Sequence, residues 1–352
     1  RSLYRGSSAY ADNQAADLLS NIHIQTDLDE AVLNAVSDGK DVVLTGSPGD
    51  GKTHIIRVLS EAFEGYNNPP VVEIDASCLT NEQLYSEWKQ ARDNSRPYVL
   101  AINAAVLFSL ARQYPQYTPA VSAANQMANA VVFSDSLSEE DNDTGVVVFD
   151  LSRREILHKD IVSGAIEKIT SDTFYSECSS CNLRASCPVH INRELLRDAT
   201  FQERLDVLFA RVALKGQHVS LRELLSFLSF LLFGDRSCQQ LASTAENDEY
   251  NLLSLIYKGG KGSVFEYIRD SFDPSSASHP VIDEELLTAK LPAETWSQER
   301  FRSTEVIDSG NLKQFELRKR AFFFFNERGN VLLEISDDDV VKYQRFLHQE
   351  DK

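Results

Sequence analysis

The stretch LTGSPGDGKTH, residues 44–54, constrains this chain more than any other. It directly follows the apolar residues Val42, Val43 and Leu44, which read as a buried strand over Asp41–Thr45. After it, Ile55, Ile56, Val58, Leu59, Ala62 and Phe63 recur at helical spacing. A strand that empties into a glycine loop, which in turn opens a helix, fits few architectures. Gly46, Gly49 and Gly51 supply backbone angles other residues avoid. The helix aims its positive end at whatever the loop encloses. Gly46-Ser47-Pro48-Gly49-Asp50-Gly51-Lys52-Thr53 fits G-x-x-x-x-G-K-[ST], a loop whose inward N–H groups hold phosphate oxygens. The expected ligand is therefore ATP with Mg²⁺. Residues 46–54, His54 included, would line it. Lys52 would reach the β- and γ-phosphates, and the Thr53 hydroxyl would ligate Mg²⁺.

The rest of the first 150 residues alternates strands with helices. Strands are expected at 71–75 (VVEID), 98–103 (YVLAIN) and 146–150 (VVVFD), with helices over 84–91 and 105–111. The acidic segment 135–143 reads as a solvated loop. This alternation predicts an α/β core, a mostly parallel sheet with helices on both faces. Residues 1–23 are polar and mixed, and a helix follows from Asp27 to the stop at Asp38-Gly39. Beyond Glu155 helical patterns dominate, at 161–170, 193–214 and 220–233, with a candidate linker at 273–280 and a short strand at 331–335. The expected organisation is an N-terminal arm and helix (1–40), a P-loop core (41–158), a cysteine-bearing segment (159–195), a helical lid (196–271) and a mixed C-terminal region (272–352).

Hydrolysis needs a carboxylate on Mg²⁺ and a group that orients water. Asp150 ends VVVFD and is the first choice for Mg²⁺, with Asp75 at the end of VVEID behind it. Either could equally be a turn or cap acid. Asn103, ending YVLAIN, is a candidate γ-phosphate sensor or the cap of the next helix. Arg222 opens a helix where AAA+ lids often place an arginine facing the γ-phosphate, an assignment by analogy. Arg153 and Arg154 follow Asp150. Arg318-Lys319-Arg320 is a further basic run, read foremost as surface charge and otherwise as a finger or partner contact.

Cys178, Cys181, Cys187 and His190 form C-x₂-C-x₅-C-x₂-H. Two soft ligands three apart can grip one ion, and a second pair closes a tetrahedron. Structural Zn²⁺ is the expectation, with Cys238 or His158 as alternatives to His190. An iron–sulfur cluster is the rival, since Cys-Pro endings occur in such sites, although it would more naturally use four cysteines.

Formal net charge is −18, which argues against passive coating of DNA and predicts weak, salt-sensitive direct contact at most. The longest apolar run, 224–233, is too short to span a membrane. Cysteine clustering suits a metal site in a reducing cytoplasm. No signal-peptide pattern is read in these residues, and the chain opens on Arg1, as an excised fragment would.

Taken in order, GSPGDGKTH, the IDAS of 74–77, the LAIN of 100–103 and the C-x₂-C…C-P knuckle with an Asn two residues after His190 carry a resemblance. The chain resembles the ATPase subunit of bacterial DNA-phosphorothioation-dependent restriction systems, the DptF type, over roughly residues 41–233. Modification-side phosphorothioation ATPases and other defence P-loop proteins look similar at this level. The resemblance implies an AAA+ or STAND-like core, a role in anti-phage defence, and helicase, nuclease or DNA-sensing partner subunits. It also implies nucleotide roles for Lys52 and Thr53 and metal-ligand roles for Cys178, Cys181 and Cys187. No strand carries the adjacent Asp-Glu pair of a vigorous ATPase. The expected function is thus an ATP-binding and ATP-hydrolysing switch or motor subunit, with self-association an open expectation. The alternative is a non-hydrolysing scaffold locked by nucleotide. A small-molecule kinase is weaker, for want of an acceptor-site signature.

Overall fold

A computed structural model of the chain describes residues 20–132, 144–182, 184, 187–238, 240, 252–259, 263–278, 280, 283, 316, 319, 320 and 322–324. The expected loop at 135–143 and strand at 331–335 lie outside the described residues. The described residues fall into two compact units. One holds 20–156 together with Ser220–Arg222; the other holds Leu157–Val219 and the described residues from 223 onward.

The first unit is built on a four-stranded parallel sheet: β1 (Asp41–Thr45), β2 (Val71–Glu73), β3 (Tyr98–Ala101) and β4 (Val146–Asp150), in the order β2-β3-β1-β4. The register sets Val43 beside Leu100 and Val148, and Thr45 beside Asp150. Every residue of β1 is buried, because a central parallel strand is covered on both faces. Its side chains alternate accordingly. Val43 faces α3 (Asn81–Asp93), α4 (Ala104–Gln113) and α5 (Thr118–Val132), in a core with Leu84, Trp88, Leu100, Leu107 and Ala120. Val42 and Leu44 face α1 (Asp27–Ser37) and α2 (Lys52–Glu64), among Val32, Val36, Ile56, Leu59 and Phe63. Helices therefore cover both faces, as the alternating pattern predicts; α5 carried no comparable signal.

The order has one consequence for function. From β1 the chain passes to β2, returns to insert β3 beside β1, and then places β4 on β1's other edge. The carboxyl end of β1 thus lies where neighbouring connections diverge, the position at which open α/β sheets bind ligands. At the opposite end, Asp41 is buried and accepts hydrogen bonds from Trp88 Nε1 (2.8 Å), the Tyr98 N–H (2.8 Å) and Arg92 (3.1 Å). Burial pushes its carboxyl above the ordinary value despite these donors.

The second unit is helical: α6 (Lys159–Ile169), α7 (Pro188–Arg197), α8 (Ala199–Leu214), α9 (Leu221–Phe233, from residue 223), α10 (Leu252–Lys258) and α11 (Ser263–Ser271). The helical pattern read over 193–214 is broken at Asp198, whose side chain accepts the Phe201 N–H at 3.1 Å and starts α8 afresh. Two expectations are corrected here. Residues 273–278 are not a slack linker: Asp273 caps a 3₁₀ turn at Pro274–Ser276, and Arg320 grips both Asp273 oxygens at 3.1 and 2.7 Å. The run at 318–320 is accordingly not simple surface charge. Lys319 is buried, donates to the Ala277 carbonyl and pairs with Asp283 at 3.1 Å. Phe322, Phe323 and Phe324 behind it are core residues, Phe324 stacking on Phe201 at 5.0 Å. Among the described residues no helix is long and apolar enough to cross a membrane.

Candidate functional site

The loop between β1 and α2 adopts the backbone its glycines predict. Gly46, Gly49 and Gly51 have φ of 143°, 97° and 99°. At Gly46 a side chain would also meet solid structure, its Cβ standing 2.8 Å from Asp50 Oδ2 and 3.1 Å from the Ser152 nitrogen. Asp50 is fully buried and accepts the Ser47 N–H at 2.6 Å, bracing the loop from within.

Lys52 folds back on this loop, its Nζ donating to the Gly46 carbonyl at 2.7 Å and the Ser47 carbonyl at 3.0 Å. Burial pushes its ammonium below the ordinary value; Asp50, Asp75 and Asp150 oppose that and Arg222 adds to it. Thus four of the residues picked out as site candidates lie within electrostatic reach of the lysine. Thr53 Oγ1 donates to the Ile74 carbonyl at 3.1 Å, which places the end of β2 against the hydroxyl expected on Mg²⁺.

The two candidate carboxylates share one local design. Asp75 caps the 3₁₀ turn Ala76–Cys78 and Asp150 caps Leu151–Arg153. Each Oδ1 accepts the N–H and hydroxyl of the serine two residues on, Ser77 and Ser152 respectively. They differ in setting: only Asp75 adjoins the residue that Thr53 touches. Asn103 is the N-cap residue of α4, but its side chain makes no capping hydrogen bond. It follows β3, the strand between β2 and β1, and so stands at the carboxyl edge between Asp75 and the loop.

Residues 220–222 return to the loop from far along the sequence. The Arg222 N–H donates to the Gly49 carbonyl at 3.2 Å. A Cβ on Gly49 would stand 3.0 Å from Ser220 Oγ, and one on Gly51 3.4 Å from Leu221. No local pattern signals this contact. Arg153 is exposed, whereas Arg154 is half-buried, lies in the fields of Asp29 and Asp50, and reaches Thr26 Oγ1 at 3.4 Å.

His54 is turned away from this arrangement. Its Nε2 lies 3.1 Å from His23 Nδ1, and His23 Nε2 lies 3.2 Å from Asp29 Oδ1. Burial, then His23, pushes the His54 imidazole down to about 4. Burial pushes Asp29 up, but hydrogen bonds from His23 and Thr26 outweigh it and the carboxyl sits below its usual range. This His-His-Asp line escaped the sequence reading because His23 and Asp29 belong to no recognisable motif.

The cysteine segment lies in the other unit. Successive turns carry it: the Cys181 N–H donates to the Cys178 carbonyl, Arg184 to Cys181, Cys187 to Arg184, and His190 to Cys187. Among the described residues no three Cys, His, Asp or Glu side chains stand at the spacing that holds an ion. Burial, followed by the charges of Cys187, Cys178 and Cys181, raises the Cys238 thiol. His158 instead caps α6. His190 Nε2 is shielded from solvent with no hydrogen-bond partner among the described residues.

No family model, no curated protein and no solved structure matches the chain.

Proposed function

We propose that the chain is an ATP-binding and ATP-hydrolysing subunit that works as a switch or motor within a bacterial DNA-directed defence complex of the phosphorothioation-linked kind. The observation that carries the nucleotide part is the Lys52 ammonium held on the Gly46 and Ser47 carbonyls inside a loop of three left-handed glycines. A cation folded into a glycine loop at the start of a helix is the recognition chemistry of a polyphosphate. The defence setting rests on the resemblance over residues 41–233 alone.

In this reading Lys52 exchanges its loop carbonyls for β- and γ-phosphate oxygens. Thr53 and Asp75 hold Mg²⁺, Asp75 taking precedence over Asp150 because the Thr53 hydroxyl already meets the end of β2. Bound Mg²⁺ would neutralise charge on the phosphates. Asn103 orients the γ-phosphate or the attacking water from the edge between Asp75 and the loop. Arg222, tied to Gly49 by its own backbone, adds positive charge beside Lys52. Asp50 keeps the loop in its binding shape. Partner subunits would make the DNA contacts, in keeping with the net charge of −18.

A second reading, a scaffold locked by nucleotide without turnover, is favoured by one observation: both Asp75 and Asp150 already spend an oxygen on turn capping. ATP hydrolysis by wild type and Lys52→Ala, with and without duplex DNA and partners, separates the two. Turnover that is present in wild type and lost in Lys52→Ala supports the ATPase. ATP bound by wild type without turnover under any condition selects the scaffold.

A further inference from the structure

Among the described residues β2 pairs with β3 alone, and the ladder ends at Glu73 opposite Leu100. Beyond that pair the chain leaves the sheet and enters the 3₁₀ turn Ala76–Cys78. Backbone groups that leave a ladder need other partners. Here each residue of the exit is pinned by a named bond. The half-buried Glu73 turns its carboxylate forward, and its Oε1 accepts the Asp75 N–H at 2.8 Å. The Ile74 carbonyl accepts the Thr53 hydroxyl at 3.1 Å. The Asp75 carbonyl accepts the Cys78 N–H at 3.1 Å, and Asp75 Oδ1 accepts the N–H and hydroxyl of Ser77. The bond from Glu73 differs from the others in being made by an acidic side chain to the backbone, and an ionised acceptor makes the stronger kind of hydrogen bond. It fixes Asp75 without touching the Asp75 carboxylate.

We propose that Glu73 is a positioning residue for Mg²⁺: its hydrogen bond sets the Asp75 backbone, and through it the Asp75 carboxylate, beside the residue that Thr53 touches. The inference rests on the reading of Lys52, Thr53 and Asp75 as a nucleotide site. Glu73 is then the second acid of this strand end, two residues before Asp75 rather than directly after it. Its contribution is the hydrogen bond and not its charge. Mg²⁺ demands near-ideal octahedral geometry, so a ligand free to wander binds it poorly. Freeing Asp75 should therefore weaken the ion first. The glycine loop and Lys52 hold the phosphates through contacts in which neither Glu73 nor Asp75 takes part, so nucleotide affinity without the ion should hold.

Binding of a fluorescent ATP analogue to the full chain, titrated with Mg²⁺ and repeated in EDTA, tests this. Glu73→Ala should raise the Mg²⁺ needed for half-maximal enhancement of binding at least about five-fold, the loss of one hydrogen bond to a charged group, while affinity in EDTA holds. Glu73→Gln keeps an acceptor oxygen without the charge and should recover most of that loss. The double variant Glu73→Ala/Asp75→Asn should need no more Mg²⁺ than Asp75→Asn alone, because Glu73 acts only through Asp75. Glu73→Ala that matches wild type in Mg²⁺ demand would overturn the inference. So would Glu73→Gln as damaging as Glu73→Ala, which would assign the effect to charge, or losses that add in the double variant. Affinity in EDTA that falls in step with the Mg²⁺ effect would reduce Glu73 to general support of the fold. These outcomes leave the nucleotide site standing; wild type that binds no analogue with or without Mg²⁺ would overturn that site and Glu73's part in it together.

Discussion

His54 offers the sharpest quantitative expectation. Its imidazole is buried at the first turn of α2, with His23 and Asp29 facing it, and its folded-state pKa is about 4 against an ordinary 6.5. The folded form is thus the poorer proton acceptor. As pH falls below 6.5 the unfolded chain takes up a proton that the native chain refuses, so stability drops until the folded value is passed. Linkage puts the loss at about 1.4 kcal/mol by pH 5.5 and about 2.5 kcal/mol by pH 4.5, levelling toward about 3.4 kcal/mol well below pH 4. Other groups titrate too, so the informative quantity is a difference. Urea unfolding of wild type and His54→Gln is compared at pH 7.5, 5.5 and 4.5. The glutamine variant should start less stable through lost packing and then close the gap by the amounts above. Asp29, whose carboxyl is held low, keeps its charge through most of this window and contributes little to the difference. Parallel stability curves for the two proteins would refute the argument, because His54 would then titrate alike in the folded and unfolded chains.

Asp75→Asn should lower Mg²⁺-dependent turnover at least about ten-fold, and Asp150→Asn no more than about three-fold, in steady-state assays; the reverse order would return Mg²⁺ to Asp150. Gly49→Ala forces a side chain into φ of 97° and against Ser220, a strain of about 1–2 kcal/mol that should weaken ATP binding roughly 5- to 30-fold by equilibrium titration. Asp41→Ala strands the Trp88 and Tyr98 donors in the core and should cost about 3–5 kcal/mol by chemical denaturation, with no change in ATP affinity once folded.

What could be read from the sequence follows the range of the forces involved. The glycine loop, the four strands and helices on both faces were legible because each leaves a local period or a fixed spacing. Strand order was not. The insertion of β3 between β2 and β1 is a long-range pairing, and so is the contact of the Thr53 hydroxyl with the Ile74 carbonyl that follows β2. The Asp198 break was missed because apolar spacing continues across it, while the cap that stops the helix is a single side chain. Lys319 and Arg320 read as surface charge because sequence cannot show that Asp283 and Asp273 await them.

The tripeptide Ser220–Arg222 changes what counts as the nucleotide-binding part of this chain. A fragment of residues 20–156 would contain the whole sheet, the glycine loop and both candidate carboxylates, and by every linear criterion would look complete. It would still lack the backbone N–H that holds the Gly49 carbonyl and the side chains that bound Gly49 and Gly51. One wall of the loop is thus supplied by residues encoded far downstream, after three helices of the other unit. Cleavage in that intervening stretch would leave the glycine loop and both candidate carboxylates on one piece and put this wall of the loop on the other.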